Sequence, residues 1–598
     1  MQSVKKINCF ILSFVLLLVS LFTTTQVNAE TVKIGVINEP GTVMMGVVLR
    51  EDASKTAGKI ITLWTGESLT IIDSKRDISG ANYTWYRGSI TKNGVTYTGY
   101  IREDMIVITE HIVDPTFEQQ LAEFPESYRA DLIKLHAIYP NWVFKADKIN
   151  LTFAQAVALE DVYNRKLVQG SNFSLRSMRE GCYDWNTGTW VAHDSGTWYG
   201  ASRELIAYYM DPRNFLNAND IYVYMIQTED SNNSSVSDME KVLSGTFLLN
   251  KYDDPNDTAF GNSYVNVIFE ASKQAVINPF VLASTIRIEQ GTQGTSALIS
   301  GNKFTYQNEV YEGLYNFFNF GSTGSNKELV IRNGLLYAKN NGWTTRSKSI
   351  IDGAKLYRTK YIDVGQNTYF YKNYNIIGSA NASHQYAQNV ADSHSSAKTL
   401  SKVYSEHKDK ALTFRIPVYK DNSLPTKISP YPEVSNKLNN YYFKNIKASG
   451  LTPSYTRFTY EYSMTVNGDS NIYIELLDGT EFVSASTHNL NKGDNVVDLT
   501  VKSQTGFTNT YKVNIHATTA CKLTISTNAP PLLRGDANND GSIKTSDLAA
   551  IRLHILDLVP INDEKKLYGA DANNDDKISA ADLAAVRLHL LGIKQLNN

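Results

Sequence analysis

The sequence has 598 residues, enough for about four domains of ordinary size, each able to bury its own core. Its formal charge is −2, which excludes the strongly basic balance expected of a nucleic-acid binder or of a protein held to acidic membranes by charge. Tyr outnumbers Phe, 36 to 23, and Asn is common around it; such a surface suits hydroxyl-rich ligands, though exported proteins share that composition without binding sugar.

Lys5 and Lys6 precede an apolar run from Phe10 to Phe22, and small residues close at Ala29. This pattern predicts a secretory leader over residues 1–29, and so a secreted product, extracellular or associated with the cell wall. Cys9 stands before the apolar run, where a lipid-anchoring cysteine cannot lie. No later stretch approaches the ~20 apolar residues of a spanning helix, so the chain is read as not membrane-spanning. Without the leader only Cys182 and Cys521 remain, read as lying in different domains. That leaves no disulfide framework and no zinc site built on cysteine pairs.

From 31 to 110 short alternating strands and turn residues follow one another, as in "KIITLWTGESLTII" and "YTWYRGSI". The segment resembles a bacterial Src-homology-3-like β-barrel, with Val47 to Ile60 as its opening strand and loop; such a module binds wall peptide or spaces its neighbours. The region 115–425 mixes helical and irregular stretches rich in aromatics. In "ASRELIAYYMDPRNFLN" a helix carrying Leu205, Tyr208 and Tyr209 should break before Pro212, with Asp211 and Arg213 paired beyond it.

"NPFVLASTIRIEQG" predicts a helix capped by Asn278, with Pro279 in its first turn and Gly291 as its stop. At ~100° per residue Glu289 lies within roughly 20° of Leu282 and close to Ile286, on the inward face. A helix C-terminus is the wrong end for a negative charge, and an apolar face is the wrong surroundings. Both raise a carboxyl pKa, which is what a general acid working near neutral pH needs. The alternative is a Glu289 that projects past the helix end and pairs with Arg287 in solvent. Downstream, "VYEGLYNFFNFGSTG" has no clean period. It sets Tyr311, Tyr315, Phe317 and Phe318 among Asn316 and Asn319, either as flat faces and amides for sugar or as a loop plugging the core.

"NPFVLASTIRIEQG", "SALISG", "YEGLYNFFNFG", "GWTTRSKSIIDGAKLY", "YIDVGQNTYFYKNYN" and "HQYAQNV" occur in order. Together they resemble the endo-β-N-acetylglucosaminidases of glycoside hydrolase family 73, which act on peptidoglycan, over roughly 260–395 with an N-terminal extension. The resemblance implies a mainly α (α+β) lysozyme-like catalytic domain and places the family's catalytic glutamate at Glu289. It also implies a glycosidase of the mannosyl-glycoprotein endo-β-N-acetylglucosaminidase type, needing no cofactor for catalysis. Asn316, Phe317, Asn319, Tyr361 and Gln366 are the expected glycan contacts.

An inverting enzyme also needs a base for water, and Glu312 or Glu309 are the nearest carboxylates in sequence. The substrate's 2-acetamido group is the alternative, with Tyr315 and Asn316 orienting the sugar. A lytic transglycosylase, a hydrolase of other N-acetylglucosamine-containing polysaccharides and a non-catalytic wall-binding adaptor stay open as readings.

Beyond Pro425 the strand period returns, and 440–526 resembles a cadherin-like β-sandwich. The C-terminal region, 533–595, holds a repeat: "GDANNDGSIKTSDLAAIRLHIL" from Gly535 recurs 35 residues later as "ADANNDDKISAADLAAVRLHLL" from Ala570. Oxygen-bearing side chains fall at loop positions 1, 3, 5 and 12, as Ca²⁺ requires. They are Asp536, Asn538, Asp540 and Asp547, then Asp571, Asn573, Asp575 and Asp582. Oxygen-only ligation points to calcium over zinc. A loop followed by a helix, duplicated with no helix before either loop, resembles a type I dockerin of EF-hand-like α-helical build. That implies two Ca²⁺ ions and a cohesin partner. Thr545 and Ser546 in one copy, and Ala580 and Ala581 in the other, occupy the positions a cohesin reads, so the two faces differ. Asp576 replaces the usual loop glycine and should strain the second site.

Overall fold

The computed structural model describes residues 31–37, 46–64, 67–81, 83–112, 115–170, 172–193, 196–378, 382–407, 409–527 and 532–596; the leader expected over 1–29 lies outside them. The chain has a multidomain mixed α/β architecture with several sheets and a C-terminal helical segment. It falls into two compact units that do not follow sequence order. One holds the chain up to Ala154, then Asp211–Tyr386 and Asp392–Ile428; the other holds Gln155–Met210, Ala387–Ala391 and Ser429 onward. Cys182 and Cys521 are both free.

The first unit opens with seven strands: β1 (Thr31–Ile37), β2 (Val47–Arg50), β3 (Lys59–Leu63), β4 (Ser68–Arg76), β5 (Thr84–Lys92), β6 (Val95–Arg102) and β7 (Ile106–Ile112). They form one antiparallel sheet in the order β3-β2-β6-β5-β4-β1-β7. Alternation puts Val47 and Leu49 of β2 inward with Leu63, Leu69, Ile90 and Ile101, and these side chains form a single cluster.

The helical part of this unit carries the site. Helix α1 (Tyr264–Ala275) is capped by Ser263, whose side chain accepts from Asn266 N–H, and it stops at Val276 in the left-handed region, φ 51°. Helix α2 (Pro279–Gln290) begins as its sequence predicts: the Asn278 side chain accepts from the N–H groups of Phe280 and Val281, and Pro279 needs no donor at that position. Gly291 ends it at φ 70°. Phe280 through Ile286 are buried on every side, so α2 is a core helix whose last turn alone reaches the surface. Helix α3 (Arg346–Tyr357) packs on α1, while α1 and α4 (Asp392–Tyr404) pack on α2. Two bonds from α2 to Thr399 of α4 fix their contact: Ser284 Oγ donates at 3.3 Å and Arg287 Nη2 at 3.2 Å.

In the second unit, 443–526 forms two four-stranded sheets that share one core, including Ile446, Ile472 and Ile474 from one sheet and Val497, Leu499, Tyr511 and Val513 from the other. Helix α5 (Thr545–Ile555), α6 (Glu564–Ala570) and α7 (Ala580–Leu590) make up the C-terminal segment. Ile551 and Val586, at equivalent places in the repeat, are fully buried in its core, whereas Ile555 is 37% exposed. Helix α6 corrects the expectation that no helix precedes a loop: Asp563 caps it by accepting from Lys565 and Lys566 N–H, so it leads directly into the second loop. Among the described residues no helix is long and apolar enough to cross a membrane.

Candidate functional site

Glu289 is half-buried in the last turn of α2. Asn319 donates from Nδ2 to Oε2 of Glu289 at 2.8 Å and to its main-chain oxygen at 3.0 Å. The Tyr386 hydroxyl donates to Oε1. Arg287 turns to Thr399, which removes the reading of Glu289 as its solvent partner. Burial raises the Glu289 pKa above the ordinary carboxylate range, against the two hydrogen bonds and the Lys372 charge, which lower it; the Asp392 charge raises it further. The arrangement therefore favours a carboxyl that keeps its proton at higher pH than a free glutamate does.

The amide of Asn319 is oriented by its neighbour. Gln290 Nε2 donates to Asn319 Oδ1 at 2.7 Å, so the Asn319 nitrogen is left to face Glu289. Asn319 sits at φ 54°, a left-handed conformation that Asn tolerates better than other side chains. On the other side Tyr361 meets Tyr386 edge-on at 5.3 Å, and His384 stacks on Tyr361 at 5.0 Å. The negative charge of Glu289 helps raise the Tyr361 pKa after burial.

Of the residues expected to act with Glu289, the structure brings Asn319 and Tyr361 to it. Tyr315 goes elsewhere: Arg346 Nη1 donates to its hydroxyl at 3.1 Å and covers its ring, so the side chain braces the start of α3. Asn316 is fully buried, its amide donating to the carbonyls of Phe320 and Gly334 at 2.7 and 3.0 Å. Phe317 is also fully buried, against Tyr264. Neither side chain can touch a glycan, and the aromatic loop plugs the core because its rings have no other apolar surface to cover.

Gln366 is buried as well. Its amide donates to the carbonyls of Tyr371 and His384, and its oxygen meets His384 Nδ1 at 2.8 Å, so it supports the wall formed by His384 and Tyr361. Glu312 is exposed, and Glu309 is engaged by Tyr311 and Arg332. Sequence reasoning missed Tyr386 and Lys372; "HQYAQNV" and "YFYKNYN" hold them in the motifs quoted above, but neither periodicity nor charge distinguished them.

The two C-terminal loops repeat one hydrogen-bond pattern. Asp536 accepts from Asp540 and Gly541 N–H at 3.0 and 2.7 Å, and Asp571 from Asp575 and Asp576 N–H at 3.0 and 3.2 Å. Asp547 accepts from Asn538 and Lys544, as Asp582 does from Asn573 and Ser579. Asp536, Asp547, Asp571 and Asp582 are all buried. Burial, with the charges of Asp536 and Asp540 adding to it, pushes Asp547 up to about 6.

Among the described residues no group of three or more His, Cys, Asp and Glu is arranged to hold a metal by those side chains alone. A Ca²⁺ ion would therefore also draw on Asn538 or Asn573 and on main-chain oxygen, as twelve-residue calcium loops do. All-oxygen, with its first and last carboxylates buried in each loop, the donor set fits a hard cation. The loops differ at two points. Asp576 holds φ 61° where the first loop has Gly541 at φ 85°, and Arg534 Nη1 donates to Asp571 Oδ2 at 2.7 Å, a contact without a counterpart in the first loop because position 569 is Gly. Thr545, Ser546, Ala580 and Ala581 are all exposed at the starts of α5 and α7.

The fold and site thus define a multidomain protein with a half-buried, hydrogen-bonded carboxyl of raised pKa in one unit and a duplicated loop-helix module at its C-terminus. Residues 534–591 match the type I dockerin domain. The chain is 30% identical over 226 residues to the beta-N-acetylglucosaminidase of Bacillus subtilis strain 168, covering 37% of this chain and 23% of that one. It is 28% identical over 233 residues to a bifunctional autolysin of Staphylococcus epidermidis, covering 38% and 16%. It thus spans less than a quarter of these curated relatives. Among solved structures, S. aureus glucosaminidase B is 22% identical with a TM-score of 0.32, covering 47% of this chain and 95% of that one. The chain is similar to a glucosaminidase and an autolysin over a little more than a third of its length, and its C-terminal region matches the dockerin type I domain.

Proposed function

We propose that the chain is an exported endo-β-N-acetylglucosaminidase that hydrolyses β-1,4 linkages in bacterial peptidoglycan and is tethered through its dockerin to a cohesin-bearing partner. The observation that carries this reading is the half-buried Glu289, gripped at one oxygen by Asn319 and at the other by Tyr386. Burial keeps a proton on the carboxyl for the leaving oxygen, and the two donors fix the direction in which it is presented. Of the acidic groups, Asp392 sends its charge to Glu289, whereas Glu312 is exposed and has no hydrogen bond to it. An acid assisted by the substrate's 2-acetamido group accounts for this better than a Glu289 and Glu312 pair. Tyr361, with His384 behind it, offers an aromatic surface beside the carboxyl for a sugar face.

In the dockerin, Asp536, Asn538, Asp540 and Asp547, and Asp571, Asn573, Asp575 and Asp582, would each hold one Ca²⁺. The ion would cross-link its loop and supply no chemistry to the reaction. Residues 31–110, as a Src-homology-3-like module, and 440–526, as a cadherin-like sandwich, are spacers or wall contacts in this reading.

Mass spectrometry of products from purified peptidoglycan treated with the full chain tests the proposal. Fragments ending in reducing N-acetylglucosamine support it. Anhydro sugars would make the protein a lytic transglycosylase. Glycan binding without products would make it an adaptor.

A further inference from the structure

Tyr386 reaches Glu289 from a segment with little regular structure, and what holds it there is a buried amine. Lys372 is 2% exposed. Its main-chain oxygen accepts from Tyr386 N–H at 2.9 Å, and its Nζ lies 3.8 Å from the centre of the Tyr386 ring. The same Nζ donates to the Tyr357 hydroxyl at 2.7 Å, and that hydroxyl donates to Gln227 Oε1 at 2.9 Å. Gln227 is fully buried and its main-chain oxygen accepts from Asn278 N–H, the cap residue of α2, at 2.8 Å. The chain of contacts thus runs from the first turn of α2, through Gln227, Tyr357, Lys372 and Tyr386, to Glu289 in the last turn of the same helix.

We propose that Lys372 is a positioning residue for the reaction: its ammonium, held by Tyr357 against the face of Tyr386, fixes the tyrosine on Glu289 and supplies the buried positive charge that tunes the acid. The inference rests on the proposed function and deepens it.

Burying an ammonium without a partner carboxylate in contact is costly, and such groups are rarely kept without a use. A cation over an aromatic face is attracted by the ring's quadrupole, more strongly when water is excluded. The ionisable groups acting on Lys372 are Glu289 from α2, Asp392 at the start of α4, Tyr357 from α3, Tyr369 on its own helix and Tyr386. Burial lowers its pKa to about 8 while the Asp392 and Glu289 charges oppose that fall, so the amine is still charged in neutral and acidic solution. Its charge acts on Glu289 in the direction of ionisation, which limits how far burial can raise that carboxyl.

The test compares Lys372→Met and Lys372→Arg with wild type in the full chain, using soluble glycan fragments across pH. Because Lys372 does not reach the surface, the Met variant should lower kcat by roughly 10- to 100-fold with KM unchanged, the scale of misplacing a catalytic group by about 1 Å. The alkaline limb of its pH profile should move to higher pH, since Glu289 then keeps its proton longer. The Arg variant, which keeps the charge, should leave that limb in place. A purely structural role would lower activity and melting temperature and leave the limb unmoved in both, and that result overturns the proposal. If the Met variant does not melt cooperatively, Lys372→Gln, which can still bond Tyr357, takes its place under the same criterion. If wild type cleaves no glycan, the proposed function fails, and the inference is judged on the titration of the Glu289 carboxyl by ¹³C NMR, assigned with Glu289→Gln. An unchanged titration in the neutral variant overturns it there too.

Discussion

Asn319 grips Glu289 at two points, its Nδ2 lying 3.0 Å from the main-chain oxygen and 2.8 Å from Oε2. The grip does two things at once. It satisfies a carbonyl at the open end of α2, and it fixes the rotation of the carboxyl with respect to Tyr386. Asn319→Ala removes both bonds and also replaces a residue suited to φ 54°. Without the grip the carboxyl is displaced from its working position, so kcat on glycan fragments should fall roughly 10- to 100-fold, the scale of misplacing a catalytic group by about 1 Å. Steady-state kinetics beside a melting curve checks this; full activity in a stable variant would show that the grip does not matter to the reaction.

Glu289→Gln keeps the size and much of the hydrogen bonding but removes the proton donor. Turnover should fall by at least ~100-fold, within the range for general acid catalysis, while binding to insoluble peptidoglycan persists. Glu312→Gln is the contrasting variant. The side chain is exposed, so turnover should stay within about twofold of wild type, and a large loss would restore Glu312 as the base. Assay of released reducing ends reads both variants.

The raised pKa of Glu289 makes a paired prediction about pH. In the proposed reaction the carboxyl must be protonated, so the alkaline limb on soluble fragments should lie above the ordinary glutamate value of ~4.3. Stability carries the same sign. Between the unfolded value and the raised folded one, the native state binds more protons than the unfolded state, so stability from this group is present at low pH and lost as pH rises through that window. Relative to Glu289→Gln, wild type should therefore lose melting temperature as pH rises. Parallel shifts in the two proteins would contradict the raised value.

Much of α2 was legible in the sequence because its signals are local: Asn278 caps, Pro279 starts and Gly291 stops, each by a backbone rule that needs no partner. The loop carboxylates were legible for the same reason, since spacing alone sets what a twelve-residue loop can gather. The aromatic loop was not. Tyr315, Asn316 and Phe317 look like sugar contacts when read as residue types, yet Gln290, Gly334 and Arg346 claim or enclose them, and those are long-range relationships with no period. Tyr386 and Lys372 were hidden for the converse reason. Their role comes from where a chain segment roughly 100 residues after Glu289 returns to it.

The last prediction concerns the C-terminal module, where Ca²⁺ would bind clustered carboxylates, four of them buried. Unfolded loops offer no assembled site, so binding and folding must be coupled, and added calcium should raise the melting temperature of this region. In the full chain, chelation should increase hydrogen exchange across residues 535–595 and abolish capture by an immobilised cohesin. Hydrolysis of soluble fragments should change little, because the Glu289 site contains no metal ligands in this reading. Asp536→Ala and Asp571→Ala each remove the first ligand of one loop, and each should weaken protection there. The two should not be equivalent. Asp576 takes φ 61° where Gly541 serves the first loop, and Arg534 shares the Asp571 carboxylate with any ion that binds. Calcium titration followed by calorimetry should therefore resolve a tighter first site and a weaker second one, and Arg534→Gln should bring the second closer to the first. Identical exchange with and without calcium would sink the metal-coupled reading of the module, and loss of glycan hydrolysis on chelation would show that the catalytic site needs a metal after all.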